Sequence, residues 1–179
     1  MKKLLGSLIF LTVLVSPAIA RELGSGLTVF DKSPLLTNMV TTLSSIRVAG
    51  AKYYLTIKLG ENVGEPLEKL TLQQSNGSEI VSYYLEQTVA FEGTPVNRGR
   101  SLSISETKQN LDNNKISIIL DPPINPGTTF TVEFKPKRNP EKPGVYRFTI
   151  SAYPAGEKPQ GLYIGMGRLR FYHHGYRFP

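Results

Sequence analysis

The chain has no cysteine and no tryptophan, and only two histidines among its 179 residues. Without cysteine there is no disulfide, thiolate metal centre, iron–sulfur cluster, thiol nucleophile or N-terminal cysteine to carry a lipid. The two histidines, His173 and His174, lie near the C-terminus. A serine–histidine pair would have to recruit its base from a frayed chain end, where positioning is poor. The Gly-x-Ser-x-Gly, His-Glu-x-x-His and phosphate-loop patterns are also missing. Asp121 and Glu133 are carboxylates of the kind that meet in space, but any sandwich offers such pairs. These gaps point to a protein that is not an enzyme and carries no cofactor.

Long apolar runs are scarce as well. The one near the N-terminus, Leu4 to Val15, is too short for the ~20 residues that span a bilayer. It follows Lys2 and Lys3, is broken by Ser16 and Pro17, and ends in Ala18-Ile19-Ala20. A positive start, a short apolar stretch and a small-x-small site describe a signal peptide over residues 1–20. Arg21 would then begin the mature chain, with 21–26 as a linker, no transmembrane segment and nucleic acid out of reach. A bacterial periplasm or an equivalent lumen is the expected location.

What the mature chain does contain is alternation. Tyr53, Leu55, Ile57 and Leu59 share one face of a period-2 pattern, with Lys52, Thr56 and Lys58 on the other. Ile116, Ile118 and Leu120, then Phe130, Val132 and Phe134, then Tyr146, Phe148, Ile150 and Ala152 repeat it. Thr88 to Phe91 reads as a short strand. Leu67 to Leu72 leads to Asn76-Gly77, a dipeptide suited to a two-residue hairpin turn, with Ile80 to Leu85 returning. Residues 93–114 are poor in apolar groups and read as a long loop with a short strand at 102–104, closed by the turn Asp112-Asn113-Asn114. In Leu162 to Tyr172 the inward phase shifts from Leu162, Ile164 and Met166 to Leu169 and Phe171, and Gly165 and Gly167 mark a β-bulge at the shift. No segment holds helical periodicity; Pro34 to Ser45, the best candidate, lacks a clean stripe. Short strands with frequent turn signals predict an all-β fold, an immunoglobulin-like β-sandwich of about seven to eight strands over residues 27–172. A tail, 173–179, follows.

Several blocks are shared with a known family. They are Val48-Ala49-Gly50-Ala51-Lys52-Tyr53-Tyr54-Leu55-Thr56-Ile57, Gly64-Glu65-Pro66-Leu67 with Leu72-Gln73-Gln74, and Ala90-Phe91-Glu92-Gly93. Asp121-Pro122-Pro123 with Pro126-Gly127-Thr128, and Arg138-Asn139-Pro140, come next. The most distinctive runs from Gly144-Val145-Tyr146 to Tyr153-Pro154-Ala155-Gly156-Glu157, and on through Gly167-Arg168-Leu169 to Phe171-Tyr172. Over about residues 27–172 the chain resembles the cyanobacterial exported family called Domain of Unknown Function 2808. The resemblance implies a cyanobacterial source and export to the periplasm or the thylakoid lumen. It brings no catalytic or binding residues, and the His173–Pro179 tail lies outside it.

Charge supplies the candidate sites. The chain carries 21 Lys and Arg against 14 Asp and Glu, net +7. Residues 61–92 hold six glutamates and only Lys69, whereas residues 135–179 hold nine basic residues against Glu141 and Glu157. A basic face attracts an acidic protein or an anionic membrane surface with salt-sensitive strength, and such a face equally serves as a solvated surface. The candidate partner-binding residues are Lys135, Lys137, Arg138, Arg168 and Arg170. An alternative is a small-ligand or copper-type metal carrier using His173 and His174, although adjacent strand residues point to opposite faces and chelate poorly. Two loops, 153–161 and 138–140, read either as recognition loops or as tight connections.

Overall fold

The computed structural model describes residues 22–23 and 26–173. The expected signal peptide, His174 and the rest of the tail lie outside the described residues. Along the chain the strands are β1 (Glu22–Leu23), β2 (Leu27–Thr28), β3 (Leu35–Thr41), β4 (Tyr53–Lys58), β5 (Leu67–Asn76), β6 (Val89–Thr94), β7 (Asn97–Leu102), β8 (Ile104–Asn110), β9 (Lys115–Ile124), β10 (Thr129–Phe134), β11 (Gly144–Pro154) and β12 (Leu162–Phe171). β1 and β2 pair with each other. The others form two five-stranded antiparallel sheets, the first in the order β3-β4-β10-β6-β7 and the second β12-β11-β5-β9-β8. The result is an immunoglobulin-like β-sandwich. The helical content of the described residues is two single 3-10 turns, Glu61–Val63 and Leu85–Gln87, and none of their helices is long and apolar enough to cross a membrane.

The alternating residues form the interior. Tyr53, Leu55 and Ile57 from the first sheet face Leu70, Leu72, Ile116, Ile118, Phe148 and Ile150 from the second, each nearly or fully buried. Each large apolar side chain so buried contributes about 1.5–3 kcal/mol before entropy is counted. Toward one end, Tyr53, Tyr83, Phe134, Tyr146 and Phe171 form an aromatic cluster with ring centroids 5.4–6.0 Å apart. Asn139 closes this end. It is 1% exposed, accepts a hydrogen bond from the Tyr53 hydroxyl at 2.8 Å, and donates to the carbonyls of Leu43 and Ser45. The 138–140 connection is thus held by its own buried amide.

The sheets hold ten strands where the sequence suggests seven to eight, and the reasons are local. Asn76-Gly77 makes no hairpin. β5 pairs with β9 and β11 instead, and the chain after Gly77 crosses to the first sheet. A β-carbon on Gly77, at φ +147°, would collide with the Tyr146 ring, so glycine lets the chain leave the strand over that ring. In place of a return strand, the Gln74 side chain donates to the Glu79 carbonyl and accepts from the Val81 amide, while Val81 and Tyr83 drop into the core. Residues 97–110, expected to be mostly loop, form β7 and β8. Both are edge strands of mostly polar residues, exposed in β7 and partly exposed in β8, so no apolar alternation betrays them. Pro34 to Ser45 contains β3.

The bulge in β12 is present, and its register shifts opposite Ile150 and Ser151. Ile164 points inward there and Met166 outward, so the phase changes earlier than the sequence suggests. Gly167 has a second role: a β-carbon there would strike Met39 of β3, so its absence lets the edges of the two sheets close on each other. Loop 153–161 is tied down by the Ala155 amide to the Pro66 carbonyl, and by Thr28, whose backbone exchanges bonds with Lys158 and Gln160.

Candidate functional site

Each sheet turns one face outward, and the two faces differ in how their charges are met. On the first sheet, Glu133 stands on β10 beside Tyr54 of β4 and Val89 of β6. Its side chain is only 8% exposed. Lys52 reaches one carboxylate oxygen at 2.6 Å and Arg98 the other at 2.5 Å. Burial alone would raise this carboxyl, but the hydrogen bonds and charges of Lys52 and Arg98 outweigh it and hold the group below the usual carboxylate range. Arg98 also donates to the Tyr54 hydroxyl and lies 4.2 Å over the Phe91 ring. One rung further, Thr131 donates to the Gly93 carbonyl, which leaves Thr56 as the donor in its 2.9 Å bond to Thr131. The polar groups of this face are occupied with one another. Glu133 has no capacity left for acid–base work with Asp121, which lies exposed on β9 of the other sheet.

The outer face of the second sheet is different. Arg147 of β11 and Arg168 of β12 are directly opposed in the ladder. Opposed residues of a pair have β-carbons about 5 Å apart, and like charges there repel. Among the described residues no acid pairs with either arginine. Arg170 follows on the same side of β12. Across β5, β9 and β8 the face continues with Lys69, Lys115 and Lys108. Among the described residues only Lys108 has an acid, Glu106, at 2.6 Å; Glu68 sits at the bulge of β5. Lys69 is 4.2 Å above the Tyr153 ring, which fixes its stem against the sheet. Lys69, Lys108 and Lys115, with Asn110, Ser117 and Glu106, line a recess of about 600 Å³. Between the cations stand Thr71, Gln73, Thr149 and Ser151. Tyr163 and Met166, 57% and 44% exposed, border the face on β12.

The family profile described as "Protein of unknown function (DUF2808)" matches residues 27–171. The chain belongs to this family. Comparison of this DUF2808 chain with curated proteins returned no match. Among solved structures it is similar to ACE19, the collagen-binding subdomain of the Enterococcus faecalis surface protein ACE, at 10% identity and a TM-score of 0.44, covering 78% of this chain and 98% of that one. It is similar to the C-terminal domain of the Streptococcus pyogenes antigen I/II-family protein AspA at 13% identity and a TM-score of 0.44, over 74% of this chain and 46% of that one. BslA, a bacterial hydrophobin, gives 15% identity and a TM-score of 0.45 over 81% and 98%.

The residues singled out from the sequence fall into separate groups in this DUF2808 domain. Arg168 and Arg170 belong to the cationic face. Lys135, Lys137 and Arg138 lie beyond the end of β10, in the connection to β11. There Arg138 and Arg47 converge on Glu141 at 3.0 and 2.8 Å, and Lys135 sits 5.8 Å over the Tyr84 ring. His173 is exposed just past β12, and no cluster of three His, Cys, Asp or Glu able to hold a metal occurs among the described residues. Sequence reasoning missed Lys69, Lys108, Lys115 and Arg147 as members of one face. The signal was present in principle: each takes the outward phase of its strand. Only the strand order brings them together.

Proposed function

We propose that this protein is an exported binding module, without catalysis of its own, that docks on an anionic partner through the outer face of its second sheet. The observation that carries this reading is the unrelieved pair Arg147 and Arg168, opposed across the ladder with no acid between them. A sheet that only needed solubility would alternate charge signs here, as Glu106 and Lys108 do further along. An anionic surface placed over the pair removes the repulsion and supplies salt-sensitive attraction at once. The reading takes Arg147, Arg168 and Arg170 from the basic C-terminal third and adds Lys69 and Lys115. The Lys135, Lys137 and Arg138 group, partly neutralised by Glu141, is a lesser contributor. The charged start, short apolar run and Ala18-Ile19-Ala20 of the N-terminal segment support export, and an acidic protein or an anionic membrane surface outside the cytoplasm is the setting in which such a face works.

The test is retention. The purified full chain is immobilised and exposed to envelope extracts of its source at low salt and then at about 0.5 M salt, where exposed charges are screened within a few ångströms. Acidic material should be captured at low salt and released at high salt, and the Arg147→Glu/Arg168→Glu variant should capture none. Equal capture by parent and variant would overturn the reading.

A further inference from the structure

We infer that the partner is an acidic polysaccharide, a carboxylate- or sulfate-bearing glycan chain that lies across the second sheet and into the recess between Lys69, Lys108 and Lys115. This rests on the reading above that the outer face of that sheet binds an anion, and it names the chemical class.

The first argument is shape. Arg147, Lys69 and Lys115 are half-buried, not protruding. Lys69 and Lys115 look into a recess of about 600 Å³. A bilayer is flat on this scale and meets only what stands proud of the sheet, here Arg168, Arg170 and Lys108. A single narrow chain can enter the recess beside Lys108 and Lys115 and run diagonally on to Arg147 and Arg168. From β12 to β8 the face crosses four strand spacings, or ~19 Å. That is the length of several linked sugars and much longer than one headgroup.

The second argument is what separates the cations. Ser117, Thr149 and Ser151, all partly exposed, carry hydroxyls that both donate and accept. A polyanion made only of acceptors, such as an acidic peptide side-chain array, uses half of that capacity. A glycan brings hydroxyls that donate as well as accept, and spaces its anionic groups along the chain as the lysines and arginines are spaced along the sheet. The third argument is aromatic. Tyr153 lies under Lys69, and Tyr163 is 57% exposed on the same face beside Ser151. Sugar rings present apolar C–H faces that pack on an exposed ring such as Tyr163, while Lys69, seated over Tyr153, meets an acid.

The experiment measures binding of the full chain to five probes at 0.15 M salt: polygalacturonate, dextran sulfate, neutral dextran, poly-L-glutamate and phosphatidylglycerol vesicles. Polygalacturonate or dextran sulfate should bind most tightly, and neutral dextran should not bind. Lys69→Gln/Lys115→Gln should weaken glycan binding about tenfold, the sum of two partly exposed charge contacts. Ser117→Tyr, which fills the recess without changing charge, should weaken it similarly. Lys135→Gln/Lys137→Gln should stay within about twofold of the parent. Thermal melts confirm that each variant is folded. If polyglutamate or vesicles bind more tightly than either glycan, and Arg147→Gln/Arg168→Gln removes that binding, the glycan is wrong while the anionic docking face stands. If no anionic probe binds, both fail. If both recess variants bind the glycan like the parent, the recess is not its site.

Discussion

The two sheets have the same number of strands and opposite outer chemistry. On the first, one buried carboxylate, Glu133, is matched by two cations, and the neighbouring threonines are bonded to each other and to the backbone. On the second, six cations share a face on which one ladder acid, Glu106, is paired. A buried polar group without a partner costs far more than an exposed one, so the first face had to be satisfied from within. The exposed face can stay unsatisfied cheaply. What it forgoes is only a weak repulsion, and what it keeps is the capacity to bind. The comparison separates charges that hold the fold from charges that await a partner, and it can be broken by experiment.

The largest effect expected lies on the first sheet. Lys52→Met/Arg98→Met leaves Glu133 buried and alone, and should cost about 2–3 kcal/mol in urea unfolding; the partial exposure of both cations keeps the loss below that of a fully buried pair. The matching pair on the second sheet, Arg147→Met/Arg168→Met, should cost nothing. Equal losses would erase the distinction. The pH dependence sharpens it. Glu133 is held below its ordinary value of 4.5, so its contribution is complete above about pH 4.5 and is lost as pH falls through its lowered folded value. The parent should therefore lose stability on acidification below about pH 4.5. In Lys52→Met/Arg98→Met that part of the slope should vanish or reverse, because burial without cations favours the protonated acid. An unchanged slope would mean that other carboxylates carry it.

How much of this was legible depends on what sets each feature. Tyr53, Leu55, Ile57, Phe130, Val132 and Phe134 announce their strands because one face is buried and the other is not. β7 and β8 do not, because these edge strands carry mostly polar residues on both faces, such as Thr107 and Gln109 opposite Glu106 and Lys108, and leave no apolar period to read. Asn76-Gly77 looks like a hairpin, yet the glycine is needed for clearance over Tyr146, a contact 69 positions away that no local rule contains. The site shows the same division. The basic excess of residues 135–179 is visible in sequence, but the strand order sends Arg168 and Arg170 to one face and leaves Lys135, Lys137 and Arg138 in a connection. The glutamates of 61–92 form no opposing acidic face. Glu92 pairs with Arg100, and Glu79 bonds the Lys142 amide and the Tyr146 hydroxyl. Segmental charge reports composition, while a face is assembled by pairing.

A single substitution then asks whether the opposed arginines really face each other. Arg168→Glu puts a carboxylate opposite Arg147 and should turn a repulsive pair into an attractive one, a gain of about 0.5–1 kcal/mol. The same change should weaken docking on any anionic probe, so stability and binding move in opposite directions. Loss of both together would mean that Arg168 supports the fold.

The smallest effect is the cleanest sign of unrelieved repulsion. Salt at 0.15 M shortens the screening length to about 8 Å, still longer than the spacing of an opposed pair but enough to weaken the summed field of six cations on one face. Raising the salt from about 10 mM to 0.15 M should therefore stabilise the parent by a few tenths of a kcal/mol. In Arg147→Gln/Arg168→Gln the gain should shrink, because the closest pair is gone. The opposite response is expected where charges are matched: the Glu133 bridges on the first sheet are weakened by salt, but little, since the acid is buried. A parent that salt destabilises would show that attraction, not repulsion, dominates its surface. The second sheet would then be a satisfied face like the first.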